Sequence, residues 1–105
     1  MKSYSVRCIF RWSTRADQKL KYLYEERITL WHARSLSQAI KKAEKEARKY
    51  IKGSDDEYIG LAQAYELFTP IDANGVEVFS LLRESNLKPK EYLDKLFDTG
   101  HERAT

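Results

Sequence analysis

One cysteine, two prolines, four glycines and no long apolar run leave this chain of 105 residues few options for elaborate chemistry. The single thiol, Cys8, cannot close an internal disulfide, which fits a reducing compartment. The glycines stand apart at 53, 60, 75 and 100, so no glycine-rich phosphate loop exists. His32 and His101 with one cysteine lack the ligand spacings of a metal site, and neither metal nor cofactor is expected. No apolar run approaches the roughly 18 residues of a membrane span. The apolar part of "MKSYSVRCIF" is too short for a signal peptide. These readings place the protein in the cytoplasm as one domain, large enough for a single modest core.

What is present argues for a folded globule: 42% hydrophobic residues, with 33% charged residues to keep it soluble. The net charge of +3 is unevenly divided. Residues 1–52 hold 14 Lys and Arg against 5 Asp and Glu, a balance of +9; residues 53–105 hold 5 against 11, a balance of −6. Such a chain can offer a basic face to an anionic partner or pair between copies. The plainer reading is that elements of both halves interleave in one sheet and neutralise each other.

Periodicity supplies the elements. Residues 3–12 alternate Tyr4, Val6, Cys8, Phe10 and Trp12 against Ser5, Arg7, Ile9 and Arg11, the pattern of a half-buried strand. Residues 13–21 form a polar loop. "YLYEERITLWHA" (22–33) is a second strand, pairing antiparallel with the first. Ser35 with Gln38 three residues on is a capping-box signature, and Leu36, Ile40, Ala43, Ala47 and Ile51 define the expected buried stripe of the helix that Gly53 ends. "YIGLAQAYELF" (58–68) is a third strand, whose small residues Gly60, Ala62 and Ala64 admit close packing by a helix. Pro70 and Asn74-Gly75 mark a turn to a fourth strand, "VEVFSLL", as a second hairpin. Pro89 opens a second helix burying Tyr92, Leu93, Leu96 and Phe97, with Gly100 as its stop and 101–105 as a flexible tail. The order ββαββα predicts an α+β fold: a single compact domain with a four-stranded, mainly antiparallel sheet and both helices on one face.

Three groups of residues are candidates for function. Glu26 shares a row with Tyr22, Tyr24, Ile28 and Leu30, where a carboxylate needs a partner; it forms a polar cluster with Glu66 of the third strand or pairs with an arginine. With Asp98 of "FDTG" these carboxylates are the basis of an enzymatic reading, although the Asp-Thr-Gly triplet is better explained by Gly100 as a helix stop. Lys41, Lys42, Lys45, Arg48, Lys49 and Lys52 fall on one arc of the first helix opposite its buried stripe, with like-charge pairs four apart. This stripe is either a solvated face or a surface for phosphates, an anionic membrane or an acidic protein. Arg7, Ile9, Arg11, Arg27 and Trp31 are placed on an open sheet face, where an aromatic among arginines stacks on unpaired bases. Cys8, in an apolar row, reads as core.

"YEERI", the capped alanine-rich helix, "YELF", "VEVFS", "LKPKEYLDKLFDTG" and the following "HE" occur in an order that resembles the small bacterial family catalogued as domain of unknown function 4288. The resemblance runs from Tyr4 to Glu102; the polar connection at 13–21 and the basic helix depart from it. It implies a compact bacterial α+β domain and carries over no catalytic residue. The reading that follows is a small non-enzymatic binding module that contacts another protein, a size that suits an immunity or accessory protein. The alternative is nucleic-acid binding through the basic helix or the Arg/Trp sheet face, and self-association is open.

Overall fold

β1 (Lys2–Trp12) and β2 (Tyr22–Ala33) form the antiparallel hairpin that the alternation predicts, with Val6 opposite Thr29 and Cys8 opposite Arg27. The structure, a computed structural model, describes residues 1–68 and 74–96. After the hairpin come α1 (Leu36–Tyr50), β3 (Glu57–Leu67), β4 (Val76–Ser85) and α2 (Pro89–Leu96). The result is a single α+β domain. Its four described strands run antiparallel to their neighbours in the order β3-β1-β2-β4.

That order corrects the expectation of a second hairpin. β3 pairs with β1 and β4 with β2, so the two strands occupy opposite edges of the sheet. Leu67 ends β3 beside Ser3, and Val76 begins β4 beside Leu30, at the same end of the central hairpin. The gap between them is three strand spacings, about 14 Å, well within reach of the intervening residues. Asn74 and Gly75 do not turn β3 onto β4. Instead they dock against β2: Asn74 Oδ1 accepts from the His32 amide at 2.9 Å, and the Gly75 amide donates to the Leu30 carbonyl at 2.6 Å.

The helices lie on opposite faces, not on one. α1 packs on the row of Tyr4, Val6, Cys8 and Phe10, together with Ala62 and Ala64 of β3. α2 packs on the other row, where Tyr92 and Leu93 cover Ile9 and Tyr24. The reason is already in the central strands: both rows carry large apolar side chains, and each face must be covered. Tyr24 and Tyr92 stack with ring centroids 3.8 Å apart, and the Tyr24 hydroxyl donates to the Leu87 carbonyl at 2.7 Å.

Local choices position α1. Ser35 caps it, its side chain accepting from the Gln38 amide at 3.1 Å, while Gln38 Oε1 accepts from the Arg34 amide at 2.7 Å. The buried stripe is Ala39, Ala43 and Ala47, with Ile40 and Ile51 half-buried beside it and Leu36 exposed. The smallest side chains therefore face the sheet, and the helix backbone sits close to Ala62 and Ala64. A bulge in β3 assists: Cys8 faces Ala62 but Phe10 faces Tyr58, and Gly60 takes the left-handed φ of +83° within the bulge.

The polar loop at 13–21 is tied down. Glu84 Oε1 accepts from the Lys19 and Leu20 amides at 3.0 and 2.7 Å, and Asn86 Oδ1 accepts from the Lys21 amide at 3.0 Å. The acidic second half neutralises the basic first half within the sheet, as the pairs Lys2–Glu66, Arg11–Glu57 and Arg27–Glu77 illustrate. No helix among the described residues is long and apolar enough to cross a membrane. The expected tail at 101–105, the Gly100 stop and Phe97 lie outside the described residues.

Burial pushes the Cys8 thiol up to about 12 from its ordinary 9.0, and the Tyr24 hydroxyl up to about 12 from 10.0. Both groups are protonated in the fold yet ionise at lower pH in the unfolded chain. Their contribution to stability is therefore intact below about pH 9 and is lost as pH rises toward 12. The expected outcome is a urea midpoint that is higher at pH 8 than in that alkaline window, and a native Cys8 inert to disulfide reagents at pH 8. A midpoint unchanged through the window would contradict the buried assignment.

Candidate functional site

The charged segment Glu25-Glu26-Arg27 divides between the two faces of the sheet. Arg27 faces α1 and is buried, 8% exposed. Its Nη1 and Nη2 donate to Glu46 Oε1 and Oε2 at 2.5 and 3.0 Å, its Nε donates to Glu77 at 2.5 Å, and its guanidinium lies 3.9 Å from the Tyr50 ring centroid. Burial opposes the charge on Arg27, but the hydrogen bonds it donates to Glu46 and Glu77 outweigh that and hold the guanidinium more firmly protonated than usual. Glu25, on the same face, accepts from Trp12 Nε1 at 3.2 Å, the Tyr50 hydroxyl at 2.9 Å and Ser80 Oγ at 2.5 Å. Glu26 points to the other face and accepts from Arg7 Nη1 at 2.8 Å; Arg7 also donates to Gln63 Oε1.

The polar cluster of Glu26 with Glu66 does not exist. Glu66 lies opposite Tyr4, on the α1 side and near the far end of β1, where it is exposed and pairs with Lys2 at 3.5 Å. Asp98, the third carboxylate of the enzymatic reading, lies outside the described residues. The single sheet face of Arg7, Ile9, Arg11, Arg27 and Trp31 is also split. The β1/β2 register pairs odd residues with even ones, so Arg27 joins Cys8 and Trp31 joins Tyr4 under α1, while Arg7, Ile9 and Arg11 look the opposite way. Arg11 is engaged with Glu57 at 3.8 Å.

What the fold does bring together is Trp31 and one flank of the basic helix. With the alanine stripe directed at the sheet, a turn of 3.6 residues puts Lys42, Lys45, Glu46 and Lys49 on one side of α1 and Glu44, Arg48 and Ile51 on the other. Lys41 and Lys52 face outward. The first flank, with Trp31 and Asn74, lines a cleft of about 410 Å³. Lys42 Nζ donates to the His32 carbonyl at 2.9 Å, which anchors one ammonium at the cleft wall. Gly75, at φ +74°, lies against the indole: a Cβ there would stand 3.2 Å from Trp31 Cη2. The indole is fixed from below as well, its Nε1 donating to Thr29 Oγ1 at 2.7 Å.

The electrostatics of the cleft follow from Arg27. Among the described residues Glu46 is its one carboxylate, and that carboxylate is held by the buried guanidinium. Three ammonium groups beside a fixed aromatic ring remain, an arrangement suited to a planar group bearing negative charge. The opposite flank differs. Arg48 shares a cleft of about 670 Å³ with Arg11, Glu44, Asp55, Asp56 and Glu57, two cations against four carboxylates, so that surface is net acidic. The sequence-predicted stripe of six cations thus contributes three to one concave surface, and Asn74, read only as a turn residue, joins them.

Arg27→Lys keeps the charge but loses the two-sided geometry, and is expected to lower stability by about 2 kcal/mol. Glu26→Gln, which weakens a partly exposed pair with Arg7, is expected to cost about 1 kcal/mol. Urea denaturation checks both, and equal midpoints for Arg27→Lys and wild type would contradict the role given to the guanidinium. No family model, curated protein or solved structure matches the chain.

Proposed function

We propose that this protein is a small non-enzymatic binding module that holds nucleic acid at the cleft between α1 and Trp31. The observation that carries the reading is the convergence of Lys42, Lys45 and Lys49 on one concave surface with a fixed indole, the one carboxylate among its described residues, Glu46, being paired with Arg27. Lys41, Arg48 and Lys52 extend positive charge along and around the helix, over a length of about 16 Å for the eleven-residue advance from 41 to 52. Phosphates neutralised by such lysines release counterions, so the affinity falls steeply with salt. One buried thiol suits a reducing compartment, and a cytoplasmic site of action accords with that.

A protein partner, the first reading of the sequence, has separate support on β4. Val78 is 52% exposed and Phe79 44% exposed, and Leu81 and Leu82 are exposed beside them. Among the described residues β4 pairs with β2 alone. The register shift opposite Ile28 and Thr29 puts a bulge at Glu77–Val78, a device that hinders strand-on-strand pairing between copies. An apolar contact with another protein fits this edge better than self-association through it.

The nucleic-acid reading is tested by fluorescence anisotropy with labelled oligonucleotides across a salt series. Wild type is expected to bind at micromolar concentration or tighter, and a Lys42→Glu, Lys45→Glu, Lys49→Glu variant to bind more weakly with a salt slope shallower by about 2, near 0.7 per lysine removed. Equal binding by both proteins would reject the cleft.

A further inference from the structure

Resting on that reading, the geometry points to a narrower ligand: we infer that the cleft selects single-stranded nucleic acid, with one unpaired base stacked on Trp31 and its neighbouring phosphates held by Lys42, Lys45 and Lys49. A basic surface alone does not discriminate between duplex and single strand, since both present phosphates. The indole does. Trp31 lies at the wall of the cleft with the lysines beside it, so a base reaches the ring only if it leaves its own helical stack. A base kept in a duplex brings its phosphates near the lysines but leaves the ring uncovered.

Preorganisation favours this use of the ring. The indole is held at two places, by the Thr29 hydroxyl at its Nε1 and by Gly75 against its six-membered ring, so stacking does not first have to immobilise a mobile side chain. Asn74 completes the cleft. Its Oδ1 is taken by the His32 amide, which fixes the carboxamide and leaves the NH2 group to donate. Among the described residues the side chains that line the cleft offer a ligand mainly donors, that NH2 and the lysine ammoniums, while Glu46 is paired with Arg27. A base edge rich in acceptors, as in thymine or uracil with their carbonyl oxygens, matches such a wall better than one that presents an amino group. The volume of about 410 Å³ lies within the range of small-ligand sites and suits one nucleotide at the ring, with the chain continuing along α1.

The experiment compares labelled oligo(dT), the same strand annealed to oligo(dA), and inorganic polyphosphate as ligands of wild type, Trp31→Phe, Trp31→Leu and the triple lysine variant, at one salt concentration. Wild type is expected to bind oligo(dT) at least tenfold more tightly than the duplex. Trp31→Leu is expected to lose that preference while keeping its affinity for duplex and polyphosphate, and Trp31→Phe, which retains a ring, to recover most of it. Equal affinity of wild type for single strand and duplex, with both lost in the lysine variant, would overturn the stacking inference and leave the cleft as a general polyanion site. Absence of binding to all three ligands would overturn the cleft itself. The comparison of wild type across ligands does not depend on any variant folding.

Discussion

A buried guanidinium organises this molecule. Arg27 sits in the middle of β2, beneath α1, and its two partners come from different elements: Glu46 from the helix and Glu77 from the far edge strand. The group is stacked on Tyr50, the residue that ends α1, and Tyr50 in turn donates to Glu25 on the same strand as Arg27. A charge taken out of water in this way is tolerable only when the carboxylates that compensate it are in place. Helix, central hairpin and β4 are thereby held to one another in a single relative position. A purely apolar contact would permit sliding; the forked geometry of an arginine does not.

The same constraint shapes the surface that we assign to binding. α1 could expose its lysines in any direction were its rotation free. The alanines at 39, 43 and 47 bring it close to the sheet, and the Arg27–Glu46 contact fixes which flank overlooks Trp31. Glu46 is drawn inward and neutralised, so the flank that carries it becomes the positive one. The other flank, with Glu44 and Arg48, faces the acidic turn at 54–57 and carries more carboxylates than cations. A helix with basic residues around much of its circumference thus acquires one concave cationic side, by internal packing instead of by sequence asymmetry.

Much of the fold could be read from the chain because it depends on local pattern. Strand alternation in 3–12 and 22–33, the Ser35/Gln38 cap and the small residues of β3 each specify an element or a contact within a few residues. The placement of the helices was legible in principle: Ile9 and Tyr24 lie in the row opposite Phe10, and a buried aromatic on each side of a strand demands two covers. What alternation cannot give is register. Whether Arg27 lies beside Arg7 or beside Cys8 depends on where the hairpin turns, and a shift of one residue exchanges the faces. The same uncertainty separated Glu26 from Glu66 and moved Trp31 from a face of arginines to a flank of lysines. Strand order was equally hidden, since an Asn-Gly pair that resembles a hairpin turn serves here to dock the start of β4 against β2. The helix stripe was displaced for a physical reason: hydrophobicity favoured Leu36 and Ile40, but proximity to the sheet favoured the smallest side chains.

The central claim, that Trp31 meets a ligand in the cleft, is open to direct observation. The chain has two tryptophans, so a Trp12→Phe variant leaves Trp31 as its sole indole emitter. Titrating that variant with oligo(dT) is predicted to quench its emission to saturation, in step with binding, and the quenching is predicted to reverse on addition of salt. Binding that leaves the emission of Trp31 unchanged in intensity and wavelength would contradict the account.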